Sequence, residues 1–196
     1  MSIEDDVANE NPGTAKTAKK SRIRRFFAHP NIIAIFVSLM LGLLIRAFLF
    51  QSFYIPSGSM IPTLQVGDRI VVSKLAFAFS GVKRGEIVVF ARPPADTIDP
   101  NVHDLVKRVI GLPGDTISSR NGHVLINGKI LPEPYLPHGD PTYNIRTQVI
   151  PPGDYFMMGD NRGDSYDSRF FGDVPGKLFV GQVILRFYPL SRLAIF

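Results

Sequence analysis

The chain has 196 residues, 45% of them hydrophobic and 20% charged, enough for one folded domain with a small appendage and too apolar for a disordered chain. Its 17 Gly and 16 Pro follow no repeat, which excludes collagen-like, low-complexity and solenoid designs, and the absence of Cys excludes disulfides, thiol catalysis and Cys-ligated metal centres. The net charge of +5 divides into +2 over residues 1–30, Arg46, and +2 over 51–196, with no basic stripe of the kind that binds nucleic acid.

In chain order, residues 1–20 are polar and read as disordered, the start of a basic cytoplasmic tail over 1–30. Residues 32–45 (IIAIFVSLMLGLLI) carry no charge, and Ala47 to Phe50 continue the apolar run past Arg46. Nineteen residues rising about 1.5 Å each cover roughly 28 Å, close to the hydrocarbon thickness of a bilayer. A single transmembrane helix is therefore expected over 31–50, with Arg46 snorkelling to the headgroups. Six basic residues from Lys16 to Arg25 precede the span, and no charge follows Arg46 until Asp68. The positive-inside rule then puts the N-terminus in the cytoplasm and residues 51–196 outside. Leu49-Phe50-Gln51 offers no A-x-A-like cleavage pattern, so an uncleaved anchor is expected.

Past the anchor, β-branched runs alternate with turn signals. Strands are predicted at 68–73, 85–90, 103–111, 116–120, 123–126, 129–131, 154–158 and 178–188, and no helix after residue 50. Asn121-Gly122 and Asn127-Gly128 predict type I′ hairpin turns. The fold class is mainly β: one N-terminal transmembrane helix, then an antiparallel sheet, coiled into a partial barrel, over 51–196. LAFAF (75–79) and LSRLAIF (190–196) fit either a membrane interface or the core.

Two stretches carry chemistry. In FYIPSGSMIPTL (53–64), Pro56 and Pro62 fix φ on either side of Ser59, and the Gly-containing turn can expose a hydroxyl and leave its N–H free for an oxyanion. In KRVIGLPGD (107–115), Lys107 follows Leu105 and precedes Val109 on one strand face. Burial among them lowers its pKa and fits it to act as a general base toward Ser59. The same lysine also fits a strand end reaching water. None of the four histidines sits in a local triad signature, although triads assemble in space. Asp160, Asp164 and Asp167 do not make a calcium loop, because positions three and twelve from Asp160 are Arg162 and Phe171. Arg162-Gly163-Asp164 spells an adhesion tripeptide, a sequence common by chance.

SGSMIPTL, KRVIGLPGD and GDNRGDSYDSR, in that order behind a single span, resemble the bacterial type I signal peptidases, membrane-bound serine proteases that remove signal peptides from exported proteins. The resemblance covers residues 31 to about 188. It implies Ser59 as nucleophile, Lys107 as general base and Ser57 as a partner of the Ser59 N–H in the oxyanion hole. It further implies Ser165 as a serine orienting the lysine, Asp167 and Arg169 as a supporting charged pair, and Asp160 and Arg162 as structural. Phe53, Ile55, Met60, Leu64 and Val106 become candidate walls of small-residue pockets for an Ala-x-Ala-like cleavage site. The implied partners are signal-peptide-bearing preproteins and membrane lipid, without nucleic acid, metal or cofactor. The sequence departs from the RDNS found in many members, with Gly163 and Asp164 between Arg162 and Ser165.

Overall fold

A computed structural model describes residues 30–97, 102–137 and 140–196, apart from the side chains of 30, 31, 45–48 and 79. The tail over 1–29, the snorkelling assigned to Arg46, and His29 and His138 lie outside the described residues. The chain divides into two compact units, residues 1–47 and 48–196.

The first unit holds α1 (Pro30–Leu49). Proline suits a helix start, because its missing N–H would have had no intrahelical acceptor there. Ile33, Phe36, Leu41 and Leu44 are exposed. Among the described residues, no helix is long and apolar enough to cross a membrane.

The second unit is mainly β. Its strands are β1 (Phe50–Tyr54), β2 (Arg69–Ser73), β3 (Ile87–Ala91), β4 (Asp104–Gly111), β5 (Thr116–Arg120), β6 (His123–Ile126) and β7 (Lys129–Ile130). They continue with β8 (Gln148–Val149), β9 (Asp154–Met158), β10 (Val174–Pro175), β11 (Phe179–Tyr188) and β12 (Ala194–Ile195). One eight-stranded antiparallel sheet runs β1-β2-β11-β3-β4-β9-β10, with β12 also on β11; a four-stranded sheet runs β7-β6-β5-β8. Register shifts at Val183/Leu185 and Arg186/Tyr188 on β11 and at Val109/Gly111 on β4 let the large sheet curl into a half-barrel.

The expectation of no helix after residue 50 is corrected by two short ones, α2 (Ala76–Ser80) and α3 (Ser168–Phe171). Asp167 N-caps α3, its carboxylate accepting from the Arg169 N–H at 3.3 Å. In LAFAF, Phe77 packs on Phe179 with ring centroids 5.7 Å apart, whereas Leu190, Leu193 and Ile195 near the C-terminus are exposed. Both Asn-Gly pairs make the expected turns: all four residues have positive φ between Arg120 and His123 and between Ile126 and Lys129.

Three apolar clusters hold this unit. Strand β3 is buried on both faces: Ile87 and Val89 join Ile55, Met60, Leu64 and Ile70, while Val88 and Phe90 join Val109, Met157, Phe171 and Val174. The third cluster lies under the small sheet, where Ile117, Val124 and Ile126 meet Ile110, Ile150 and Phe156. Strand β4 therefore runs between two packed layers, and its side chains alternate between them.

Candidate active site

Strand β4 sets out the site. Lys107 pairs directly with Val88 of β3, so both side chains project to the same face, that of Phe90, Leu105 and Val109. The ammonium stem is thereby enclosed, and Lys107 is only 3% exposed. Burial pushes its pKa down from 10.5 to about 8, with Asp167 opposing, Arg169 adding to the fall, and Asp96 and Asp160 opposing further. Among the described residues no salt bridge joins Lys107.

The turn after β1 brings the hydroxyls. The Ile61 N–H donates to the Gly58 carbonyl at 3.1 Å and the Leu64 N–H to the Met60 carbonyl at 2.9 Å, closing the turn over residues 58–64. Asn161 then clamps it from another segment: its N–H donates to the Ser59 carbonyl and its Nδ2 to the Gly58 carbonyl, both at 3.1 Å. Ser57 Oγ and Ser59 Oγ stand 3.5 Å apart. Among the described residues the Ser59 N–H donates to no protein acceptor.

Ser57, Ser59 and Lys107 line one cavity of about 400 Å³. Phe53, Ile55, Met60 and Val106 form part of its wall. Leu64 is a correction: it is fully enclosed in the cluster with Ile55 and Met60 and does not reach the cavity. No histidine of the described residues lines the cavity; His103 and His123 are exposed elsewhere. The cavity opens between two unpaired edges. Strand β1 ends its sheet, and β9 pairs β4 only from Arg108 onward, leaving the outer edge of Asp104–Lys107 free.

The third motif block supports the cavity from behind. Ser165 is 7% exposed and its Oγ has no hydrogen-bond partner among the described residues, so no bond joins it to Lys107. It lies close to the nucleophile's turn, since a Cβ on Gly159 would meet both Ser165 Oγ and the Ser59 carbonyl at 2.3 Å. Arg169 Nε donates to Asp167 Oδ1 at 2.8 Å, and the Gly159 N–H donates to Asp167 Oδ2 at 3.0 Å. The Arg169 guanidinium also donates to the Ser165 carbonyl at 3.2 Å.

Several residues were missed by sequence reasoning. Arg108 projects opposite to Lys107 and donates to both carboxylate oxygens of Asp160, while Thr63 Oγ1 donates to Asp160 Oδ2. Asp160 is fully buried, so one carboxylate ties together the three sequence blocks. Arg162 is held in turn by Glu133 and Thr142. Asp96, Asp104, Asp164 and Tyr166 also line the cavity. The alternation along KRVIG reveals that Arg108 faces away from Lys107, but nothing local names an acceptor 52 positions on.

Comparison with known proteins identifies relatives of the chain. The chain is 42% identical over 161 residues to "Signal peptidase I" of Leptolyngbya laminosa, covering 80% of this chain and 78% of that protein. It is 41% identical over 160 residues to "Probable signal peptidase I-2" of Synechocystis sp. (81% and 72%) and 37% identical over 172 residues to "Signal peptidase I" of Bacillus caldolyticus (81% and 91%). The sequence model described as "Signal peptidase, peptidase S26" matches residues 29–188, and the chain therefore belongs to this family of serine peptidases.

Proposed function

We propose that the chain cleaves signal peptides from exported preproteins after small residues, with Ser59 as nucleophile and Lys107 as general base. The observation that carries the reading is that two motif blocks 48 positions apart put an exposable hydroxyl and a buried lysine, its pKa held near 8, on the wall of one cavity. The substrate enters as an extended strand between the free edges of β1 and Asp104–Lys107 and exchanges main-chain hydrogen bonds with them. Small side chains at P1 and P3 face Phe53, Ile55, Met60 and Val106.

Neutral Lys107 takes the Ser59 proton as Oγ attacks the scissile carbonyl. The Ser59 N–H and the Ser57 hydroxyl donate to the oxyanion. Lys107 then gives its proton to the leaving amine, and a water activated by the same lysine hydrolyses the acyl-enzyme. Ser165 Oγ, buried without a partner in the described structure, is a hydroxyl available to orient the lysine once substrate is bound. Asp167 and Arg169 brace that segment. The chemistry calls for no metal or cofactor.

Residues 31–50 anchor the enzyme as a single-pass helix in the bacterial plasma membrane. Residues 1–30 lie in the cytoplasm and 51–196 on the outer side, where lipid meets the domain and preproteins present their cleavage sites. What supports this is the apolar run, its basic N-terminal flank and the absence of charge between Arg46 and Asp68.

Cleavage of a preprotein in detergent by the full chain tests the dyad. Ser59→Ala and Lys107→Ala are each expected to remove turnover while the far-UV spectrum stays that of the wild type. Near-normal turnover by either variant would defeat the assignment.

A further inference from the structure

We infer that Asp164 is a specificity-determining residue, giving this peptidase a preference for a basic side chain at one of the positions P2, P1′ or P2′ around the scissile bond. The inference rests on the cavity being the substrate cleft, as proposed above. Asp164 ends the 3-10 turn Arg162–Asp164, in the stretch where the sequence departs from the commoner RDNS. Its Oδ2 lies 4.0 Å from where a Cβ on Gly58 would stand, against the backbone between Ser57 and Ser59. It is exposed, lines the cavity, and takes part in no salt bridge among the described residues.

The other charged residues on the wall are Asp96, Asp104 and Lys107. Asp96 faces Arg92 at 3.6 Å. Asp104 stands three residues before Lys107 on β4, about 10 Å along the strand. Asp164 is thus the wall carboxylate that stands beside the serine turn. An extended substrate turns its P1 and P3 side chains into the small apolar pockets. This leaves P2, P1′ and P2′ as the side chains near the scissile bond that can meet Asp164. A Lys or Arg there finds an opposite charge beside Tyr166, and an acid meets a like charge. Such a pair, partly open to water, is worth up to about fivefold in affinity and is weakened by salt.

The test uses one preprotein with Lys, Gln or Glu placed singly at P2, P1′ or P2′. It is cleaved in detergent by the full-length wild type, Asp164→Asn and Asp104→Asn, at low and high salt. The wild type is expected to favour Lys over Glu in kcat/KM by about 5- to 20-fold at one of these positions, and high salt to shrink the ratio. Asp164→Asn is expected to bring that ratio below about twofold, while Asp104→Asn leaves it in place. Each ratio compares substrates within one enzyme, so a change in overall turnover cancels. Indifference of the wild type at all three positions, or a ratio that persists in Asp164→Asn, overturns the inference. The peptidase reading stands or falls separately, on cleavage of the Gln substrates by wild type and its loss in Ser59→Ala.

Discussion

Raising the pH from 6 to 10 should carry kcat/KM through one acidic limb centred near 8, the value to which burial lowers Lys107. At pH 7 about 9% of the lysine is then neutral, against about 0.03% for an unshifted one, a difference of about 300-fold in available base. Activity should rise about fivefold between pH 7 and 8 and flatten by about pH 9. The same shift has a stability consequence. Because the folded pKa lies below the unfolded one, the unfolded chain binds more protons between about 8 and 10.5, and stability rises with pH across that window. Below pH 8 the buried ammonium costs about 3 kcal/mol. Lys107→Met should therefore be more stable than wild type at pH 7 by a few kcal/mol, with the gap closing toward pH 10.5. The assays are the pH–rate profile on a preprotein and urea unfolding of both proteins at pH 7 and 10. A limb centred above about 9.5, or equal stability of the two proteins at both pH values, refutes the reasoning.

Two further substitutions probe the frame around the dyad. Gly159→Ala puts a methyl 2.3 Å from the Ser59 carbonyl and from Ser165 Oγ, so the nucleophile's turn must shift. A displacement of about 1 Å predicts at least about a 10²-fold loss in kcat with the β spectrum retained; kcat within threefold of wild type would show that the turn can yield. Asp160→Asn leaves the Arg108 guanidinium, nearly buried beside Tyr135 at 4.0 Å, without its carboxylate. A loss of about 3–5 kcal/mol in unfolding free energy is expected from urea titration, and a change under about 1 kcal/mol would remove Asp160 from its structural role.

The strands with strong β-branched alternation were legible in the sequence: 68–73, 85–90, 103–111 and 178–188 match β2, β3, β4 and β11 to within two residues at either end. So were the Asn-Gly turns, whose chemistry is local. Strand β1 was not, because Phe50 continues the apolar run of α1 and only pairing of Phe50 and Gln51 with Ser73 and Val72 reveals the sheet. Helix α3 is four residues long, too short for a periodic signal; its one local cue is Asp167 as N-cap. The site divides in the same way. The environment of Lys107 follows from a period of two along β4. The Asn161 clamp, the Asp160 hub and the turning of Asp164 toward Gly58 join segments about 50 to 100 positions apart, and no local pattern encodes such pairings.

The charges around Lys107 explain how a lysine can stay near neutrality with acids so close. Asp167, Asp96 and Asp160 all act to raise its pKa, and a carboxylate free to pair with the ammonium would hold it protonated. Each of these acids is already occupied. Arg169 binds Asp167 and Arg108 binds Asp160 through both carboxylate oxygens, and Arg92 stands 3.6 Å from Asp96. The guanidinium of Arg169 itself pushes the lysine down. Because Arg108 directly follows Lys107 on one strand, the alternation that buries the lysine among Leu105 and Val109 sends the arginine to the opposite layer, where it engages Asp160. One strand thereby removes the ammonium from water and neutralises one of the acids that would restore its charge. Asp164, another acid on the cavity wall, lies by the serine turn and is not among the main charges acting on Lys107, so it is placed to meet a substrate rather than the base.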